Sequence, residues 1–336
     1  MTEAETDAEK QKPGRFSNHL AKRPMYMRLA ERLPGRYVIG FLVFAVCVIA
    51  MSPSVTVSKE ASPLPGQRVI LVTGSTGGLG RETALALARA GDHVIIHGRN
   101  AERAKEVVQQ IEKDGRGSAQ FYQADLASLE ATKELANAIL ADYERLDVLV
   151  NNAGVLVPDQ QERRVSEDGY ELHFHVNYLA GYVLANMLLP LLEASAPSRI
   201  VNVASGQRPL DFDDLMFEKG YNGLDAYLRS KNAQIMMTFA MEPYLSSRNI
   251  ATNALFPSGL MNTDMVIEAG FEPQSSVETG RDALLQLIND DVGTGHFFNV
   301  FEIDEAIPQA SDPVAQKKLM DASEELTSIR FPGAAR

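Results

Sequence analysis

Residues 68–80 read R-V-I-L-V-T-G-S-T-G-G-L-G, and this stretch decides the fold. A short apolar run leads directly into Gly74, Gly78 and Gly80, and an apolar-periodic segment through Ala90 follows. The run is typical of a buried strand, and the periodic segment is typical of a helix. The glycines let the backbone turn tightly and approach a pyrophosphate, which then lies at the positive end of the helix. Strand, glycine loop and helix in this order predict a dinucleotide-binding unit.

Strand-like and helix-like segments alternate through the rest of the chain. The later strand-like runs occupy residues 93–97, 118–122, 146–150, 199–204 and 250–256. Helical segments separate them, including a long one from about Glu167 to Leu192. Such alternation is typical of a parallel, doubly wound sheet that binds ligands at the carboxyl ends of its strands. We therefore predict an α/β Rossmann fold, in a single catalytic domain over residues 67–330.

The composition limits the kinds of partner. The chain has 336 residues, 45% of them hydrophobic and 23% charged, which is typical of a globular protein with a large core. Residues 61–336 carry 23 Lys and Arg against 38 Asp and Glu, so this body would repel phosphate backbones and nucleic-acid binding is not expected. Cys47 is the only cysteine, which excludes an intrachain disulfide and a cysteine-based metal site. His173 and His175 lie two apart in a predicted helix and face different sides, so no shared metal is expected.

The amino-terminal part predicts attachment to a membrane. Residues 1–36 are polar and basic, residues 37–58 contain no charged side chain, and residues 59–66 read as a linker. A helix over the 22 uncharged residues would roughly cover the ~30 Å hydrocarbon core, so we predict a single transmembrane anchor at 37–58. Two alternatives remain open, a cleaved signal peptide and a buried or surface-lying helix, because the strongly apolar run has only 15 residues.

The orientation of this anchor has two conflicting indications. Lys and Arg concentrate just before residue 37, and the positive-inside rule would place the amino terminus in the cytoplasm and the body on the other side. The dinucleotide-binding unit predicted from the glycine loop favours a body that faces the cytoplasm, where the pool of dinucleotide cofactors chiefly lies. We adopt the second orientation as the expectation.

Polar residues stand where several predicted strands and helices end. Arg99 follows the second strand, where a site for NAD would offer a carboxylate to the ribose 2′-hydroxyl, and an arginine there suits a 2′-phosphate. A surface arginine that caps a loop is the alternative. Asp125 follows the third strand and either accepts from an adenine amino group or caps the next helix. Asn177 lies among apolar residues, where a core hydrogen bond is the simplest explanation.

The stretch D-A-Y-L-R-S-K-N-A-Q, residues 225–234, places Tyr227 and Lys231 four positions apart in a segment of helical composition. Side chains at this spacing share one face of a helix. A tyrosine titrates near ~10, and a neighbouring cation favours the phenolate, which would bring the phenol towards the working range of an acid or base. A half-buried tyrosine beside a solvated lysine is the alternative.

Together these motifs resemble the short-chain dehydrogenase/reductase superfamily. Residues 73–80 resemble its glycine motif, N-N-A-G at 151–154 resembles its structural motif, and Asn177, Ser205, Tyr227 and Lys231 match its catalytic tetrad in order. The resemblance covers about residues 66–330. Within the superfamily, residues 168–205, 213–263 and 295–329 look most like the retinol dehydrogenase-like branch.

The resemblance implies a mechanism and a cofactor site. Tyr227 exchanges a proton with the substrate oxygen, Ser205 hydrogen-bonds that oxygen, Lys231 lowers the tyrosine pKa and holds the nicotinamide ribose, and Asn177 keeps a relay water in place. The implied substrate is a small lipophilic alcohol or carbonyl compound, such as an aldehyde, ketone, retinoid or steroid, with NADP(H) preferred over NAD(H). The implied cofactor-binding residues are Thr73, Gly74, Ser75, Thr76, Gly78, Leu79, Gly80, Arg99, Asp125, Leu126, Asn152, Ala153, Gly154, Tyr227, Lys231, Pro257, Gly259 and Thr263.

The sequence departs from the family pattern at several positions. Thr263 lies six residues beyond Pro257, where the family usually has five, as if one residue were inserted into the loop that contacts the nicotinamide. Tyr178, Tyr182, Ala204 and residues 206–208 also differ from the branch's commoner residues and leave the substrate open. Two competing functions remain, a non-catalytic dinucleotide-binding module at a membrane and an epimerase or dehydratase on the same fold. The oligomeric state, including a homo-oligomer, is left open as well.

Overall fold

The computed structural model describes residues 57–58, 62–158 and 162–333. The predicted anchor lies outside these residues except at its last two positions, and so do residues 59–61 of the linker. Among the helices of the described part, none has the length and apolar character needed to cross a bilayer.

One sheet runs through the described part of the chain. Its strands are β1 (Val57–Ser58), β2 (Val69–Val72), β3 (His93–Gly98), β4 (Ser118–Gln123), β5 (Val148–Asn151), β6 (Ser198–Val203), β7 (Ile250–Phe256), β8 (Phe297–Asn299) and β9 (Glu302–Asp304). The order across the sheet is β1-β4-β3-β2-β5-β6-β7-β8-β9. Strands β2 to β8 are parallel, while β1 and β9 pair antiparallel at the two edges. The reversal of strand order at β2 and β5 creates the crevice in which doubly wound folds bind ligands.

Helices cover both faces of the sheet. They are α1 (Gly78–Ala90), α2 (Ala101–Asp114), α3 (Leu129–Asp142), a π-helical turn (Phe174–Leu179) continuing into α4 (Ala180–Met187), α5 (Leu189–Ala194), α6 (Gly223–Ser246), α7 (Asp264–Glu268), α8 (Val277–Asn289), α9 (Pro308–Ser311) and α10 (Pro313–Thr327). Asn100, Ser128 and Asn222 cap α2, α3 and α6 through their side chains. These caps satisfy backbone N–H groups that have no partner inside the helix.

Two hydrophobic cores lie on opposite faces of the sheet. Alternate residues of β2 separate between them, so that Leu71 packs with one core and Ile70 and Val72 pack with the other. Side chains of successive strand residues point to opposite sides, and in a sheet covered on both faces both sets are apolar. The predicted α/β Rossmann architecture is therefore confirmed for the catalytic domain.

The long helix predicted from Glu167 to Leu192 differs from the observed structure. Residues 167–171 are a turn and a short bridge, and residues 174–179 form a π-helical turn, a wider winding that carries Asn177. A further break at Leu188 separates α4 from α5. Composition identified the helical segment, but a π-helical turn adds a residue without changing the apolar pattern enough to be predicted.

Candidate active site

A cleft of about 690 Å³ opens at the carboxyl ends of the parallel strands. The glycine loop between β2 and α1 forms its floor. A methyl group on Gly80 would lie 2.4 Å from the carbonyl oxygen of Gly74, and one on Gly74 would lie 2.9 Å from the Cα of Ala153. Gly77 caps α1 without a side-chain bond to the free N–H groups of the first turn. The backbone therefore forms a cradle with exposed donors, which fits a dinucleotide pyrophosphate.

Most of the predicted cofactor-binding residues line this cleft. The lining includes Gly74, Thr76, Gly78, Leu79, Gly80, Arg99, Asp125, Leu126, Asn152, Ala153, Gly154, Tyr227, Lys231, Pro257, Gly259 and Thr263. The predicted residues Thr73 and Ser75 do not line it. The Thr73 hydroxyl accepts hydrogen bonds from the N–H groups of Asn152 and Ala153, and the Ser75 hydroxyl accepts from the N–H of His97. Both side chains hold the loop against neighbouring strands and act from behind the cradle.

The end of β3 has no room for a carboxylate. A Cβ atom on Gly98 would lie 2.6 Å from Cγ2 and 2.7 Å from Oγ1 of Thr76. Arg99 follows with an exposed side chain, 3.9 Å from the carboxylate of Asp125. Asp125 also accepts from the N–H of Ala127, while Ser128 caps α3, so Asp125 itself is not the helix cap. The structure therefore places the guanidinium of Arg99 at this end of the cleft, and a side chain at position 98 would collide with Thr76.

The loop after β7 reaches the cleft despite its departure from the family spacing. Pro257, Gly259 and Thr263 all line the cleft. Leu260 between them has φ 40°, a left-handed conformation that is uncommon for a residue with a side chain. The side chain of Thr263 caps α7, and its Cγ2 would lie 3.3 Å from a methyl group on Gly78. The longer loop thus still brings Thr263 against the glycine loop.

Lys231 lies in α6 with only 4% of its surface exposed. Its Nζ donates to the carbonyl of Val203 at 2.8 Å and to Oε1 of Gln234 at 2.9 Å. Burial lowers the pKa of Lys231 to about 7, since charging an amine away from water is unfavourable. The role of Gln234 was not predicted from the sequence, although its spacing of three from Lys231 places the two side chains near each other on one helix face.

Tyr227 lies one turn before Lys231 and lines the cleft together with Ser205. The Lys231 Nζ is 5.7 Å from the centre of the tyrosine ring. Burial raises the pKa of Tyr227, and the Ser205 hydroxyl acts in the opposite direction through a hydrogen bond. Burial is the larger of these two effects on the Tyr227 pKa, and a lowering of this pKa by Lys231 stays a prediction. The phenol therefore keeps its proton at neutral pH.

Asn177, the fourth predicted catalytic residue, lies beside the cleft but does not line it. Its Oδ1 accepts from the N–H of Val155 at 2.8 Å, and its Nδ2 donates to the Ser230 hydroxyl at 2.9 Å and to the Val155 carbonyl at 3.2 Å. These bonds use both amide hydrogens. The side chain joins the cleft wall at Val155 to α6, which agrees with the simpler reading of a core hydrogen bond.

A buried polar cluster behind Tyr227 was not predicted. Glu171 accepts from Nδ1 of His173 at 2.8 Å and from the Tyr221 hydroxyl at 3.0 Å. The other ring nitrogen of His173 accepts from the N–H of Val157 at 3.0 Å, so the imidazole is neutral, since a backbone N–H can only donate. The His173 ring meets the Tyr227 ring edge-on at 6.2 Å. The cluster thus holds Val157, which directly follows the cleft-lining Leu156, and packs against the tyrosine ring.

His173 and His175, the two histidines considered for a shared metal, lie in separate surroundings. The His175 ring is buried, with its nearest carboxylate, that of Asp168, at 4.0 Å. Across the described residues no group of three potential metal ligands comes together.

The remaining lining of the cleft is largely apolar. It includes Leu156, Leu172, Val176, Leu224, Leu228, Met265 and Phe271. Tyr178 and Tyr182, which the sequence left as potential determinants of substrate, are fully buried elsewhere. Their hydroxyl groups bond to the Ser323 hydroxyl and the Ile329 carbonyl at the carboxyl-terminal helix. They dock α10 and do not contact the cleft.

Comparisons with known proteins agree with this site. The short chain dehydrogenase family profile matches residues 68–272. Human retinol dehydrogenase 14 is 33% identical over 295 residues, which cover 78% of this chain and 87% of the relative. Human polyprenol dehydrogenase is 34% identical over 239 residues, 68% of this chain and 71% of the relative.

A solved structure extends the agreement to the fold and cofactor. A short chain dehydrogenase from Shigella flexneri, complexed with NADP, superposes with a TM-score of 0.58 at 29% identity over 70% of this chain and 97% of its own. The cradle, the Ser205–Tyr227–Lys231 arrangement and the sequence relatives point in one direction. The chain belongs to the short-chain dehydrogenase family, in its retinol dehydrogenase-like branch, whose members are oxidoreductases that bind a nicotinamide dinucleotide.

Proposed function

We propose that this protein is an NADP(H)-dependent oxidoreductase that interconverts a lipophilic alcohol and the corresponding carbonyl compound. The observation that carries the proposal is the placement of Ser205, Tyr227 and Lys231 in one cleft with the glycine cradle. A module that only bound a dinucleotide would need the cradle but would not need a buried lysine beside a proton-holding tyrosine. Burying the amine of Lys231 is costly, and a catalytic role explains it.

The cofactor supplies the hydride, and the residues of this chain manage the substrate oxygen and its proton. Tyr227 retains its proton at neutral pH because burial raises its pKa, so it is suited to donate to the oxygen of a carbonyl substrate during reduction. Ser205 hydrogen-bonds the same oxygen and orients it. In its protonated form, Lys231 donates two N–H groups to Val203 and Gln234, which leaves the third for the cofactor ribose.

The preference for NADP(H) rests on the end of β3. Thr76 fills the space that a side chain at position 98 would occupy, so no carboxylate can reach the ribose 2′-hydroxyl from there. Arg99, 3.9 Å from Asp125, offers a guanidinium to a 2′-phosphate. A charge-assisted contact of this kind contributes ~1.5–3 kcal/mol, or roughly ten- to a hundredfold in kcat/KM. Arg99→Asp is expected to erase or reverse the preference.

A lipophilic substrate is supported by the apolar side of the cleft. Leu156, Leu228, Met265 and Phe271 lie in the same lining as the catalytic tyrosine. Apolar walls with few polar groups are typical of sites for hydrophobic small molecules. The names of the relatives, retinol and polyprenol dehydrogenases, describe alcohols with long apolar chains.

We also propose that residues 37–58 anchor the enzyme in a membrane, with the catalytic domain facing the cytoplasm. The uncharged interval of 22 residues supports the anchor. A lipophilic substrate would be concentrated in the same membrane, which would bring the cleft close to its supply.

The test is a comparison of Tyr227→Phe with the wild type, using a panel of lipophilic aldehydes, ketones and retinoids. The change removes one oxygen and leaves the packing of the ring, so NADPH should bind with unchanged affinity while turnover falls by ~10²-fold or more. Tyr244→Phe is the matched control because it removes a hydroxyl from the same helix outside the cleft. If no carbonyl compound is reduced by the wild type, or if Tyr227→Phe keeps its rate, the binding-module reading replaces the proposal.

A further inference from the structure

An ion pair crosses the cofactor end of the cleft. Arg103 lies in the first turn of α2, and Asp264 is the first residue of α7. The two residues are 161 positions apart in sequence, yet Nη1 of Arg103 donates to Oδ2 of Asp264 at 2.9 Å. Both line the cleft, so the pair joins its two sides.

The pair lies beside the glycine loop. A methyl group on Gly77 would be 3.6 Å from Nη1 of Arg103, which places the guanidinium next to the residue that caps α1. Thr263, directly before Asp264, contacts the loop at Gly78. The glycine loop T-G-S-T-G-G-L-G has no basic residue of its own, and Arg103 brings a positive charge to it from α2.

The same region holds the groups that would receive a 2′-phosphate. Arg99 lies four residues before Arg103, and Thr76 of the glycine loop packs against Gly98. The two arginines therefore flank the end of the cleft at which the proposed NADP(H) site differs from an NAD(H) site. Asp264 opposes them, since a carboxylate in the lining repels a phosphate.

The ion pair is suited to exchange its partner. The side chains of Arg103 and Asp264 are 53% and 64% exposed, and an exposed pair of this kind contributes little stability. A phosphate offers a guanidinium more charge than a carboxylate and can be bound by two parallel hydrogen bonds. Arg103 would lose little by leaving Asp264 for a phosphate.

We propose that Arg103 is a specificity-determining residue that binds the 2′-phosphate of NADP(H), and that Asp264 is the partner it releases when the cofactor binds. This inference rests on the proposed function, since it concerns the same cofactor site. It assigns opposite effects to the two members of one ion pair. Arg103 favours NADP(H), and Asp264 competes with it for the guanidinium.

The test is fluorescence titration of Arg103→Gln, Asp264→Asn and the wild type with NADPH and NADH. Arg103→Gln should weaken NADPH binding roughly tenfold or more and leave NADH binding within twofold, because only NADPH carries the phosphate. Asp264→Asn should tighten NADPH binding severalfold without an equal gain for NADH. Arg103→Lys, which keeps the charge, should recover part of the NADPH affinity.

The outcomes separate this inference from the proposed function. One outcome would leave the proposed function intact: the wild type reduces carbonyl compounds with a preference for NADPH, and Arg99→Asp removes that preference. If Arg103→Gln then keeps the preference, only the role of Arg103 is wrong. If both variants of the pair weaken both cofactors equally, the pair is a structural tie across the cleft and the exchange is refuted. A wild type that binds NADH and NADPH alike would instead refute the proposed cofactor preference.

Discussion

The burial of Lys231 should be measurable as a pH dependence of stability that one substitution removes. The amine is 4% exposed and has two hydrogen bonds but no neighbouring carboxylate among the described contacts. Its pKa falls from the ordinary value of 10.5 to about 7 on folding, with burial as the cause. The unfolded chain therefore holds a proton that the folded protein releases across this range.

The size of this pH dependence follows from the difference in proton binding between the unfolded and the folded state. Between pH 7 and 10.5 the unfolded state binds more protons than the folded state, so the free energy of unfolding rises with pH by up to about 1.4 kcal/mol per unit. Below pH 7 both states are protonated, and the full penalty, on the order of 5 kcal/mol, is present. Lys231→Met removes this titration and keeps an apolar chain of similar length. The lost hydrogen bonds to Val203 and Gln234 cost about 1–3 kcal/mol each, but this cost does not change with pH.

The assay is urea unfolding of both proteins between pH 7 and 9.5. We expect the wild type to gain about 3 kcal/mol relative to Lys231→Met over this interval, because every other titrating group is shared and cancels in the difference. Lys105→Met, at an exposed position of α2, is the control, and its free energy of unfolding should change with pH in the same way as that of the wild type. If the free energies of unfolding of the wild type and Lys231→Met change with pH in the same way, Lys231 does not have a lowered pKa in the folded protein. The argument that its burial marks a catalytic role then fails.

Three further predictions follow from particular contacts. Burial is the largest single effect on the pKa of Glu171 and would raise it, but the hydrogen bonds from the His173 ring and from the backbone N–H groups of Phe174 and His173 together hold this pKa below its usual range. Glu171→Gln should therefore cost roughly 1.5–3 kcal/mol at pH 7 in urea unfolding, with the difference shrinking as the pH falls below 4.5. Gly80→Ala should abolish NADPH binding, since the new methyl group would lie 2.4 Å from the Gly74 carbonyl, whereas Gly77→Ala, with its nearest atom at 3.6 Å, should be tolerated in the same titration. Expression of residues 60–336 should yield soluble, active enzyme, while the full chain should sediment with membranes. A full-length, unprocessed chain in the soluble fraction would contradict the anchor. Protection of the body from protease in sealed vesicles would contradict the cytoplasmic orientation.

The features predicted well from the sequence are those with a local pattern. The apolar runs predicted the positions of β2 to β7, and their alternation with helical segments predicted a parallel sheet. The glycine loop, Arg99 and the Tyr227–Lys231 pair could be placed in one cleft because the carboxyl ends of parallel strands share an edge. Strand β8 was not predicted, since three residues are too few to show a period.

The features that were not predicted depend on contacts between distant residues. The Arg103–Asp264 pair spans 161 positions, and the bond from Val157 to His173 spans 16. Neither has a local signature. The direction of the Tyr227 pKa also depended on burial, which spacing within a helix does not reveal.

The two halves of the site are supported by different parts of the chain. The glycine loop and the catalytic residues all lie within the family match at residues 68–272. Beyond that match, Gln309 accepts from the N–H of Leu210 at 2.6 Å and from Nδ2 of Asn232 at 3.0 Å, and so ties the segment that follows Ser205 to α6. Tyr178 and Tyr182, from the segment that carries Asn177, likewise form hydrogen bonds with Ser323 of α10 and with the carbonyl of Ile329 just after it.

This division has a consequence for specificity. Because residues 308–329 brace the segment after Ser205 and the helix of Asn177, a substitution there can move the substrate side of the cleft without touching the cofactor cradle. Rigid supports behind a site set its geometry as firmly as the residues that line it. If the proposed function holds, the motifs shared across the family define the cofactor and the chemistry, while the choice of substrate depends on the apolar lining and on these carboxyl-terminal contacts. Gln309→Leu should accordingly raise KM for the carbonyl substrate and leave NADPH affinity unchanged, and an equal loss of both would show that the carboxyl-terminal contacts support the whole cleft.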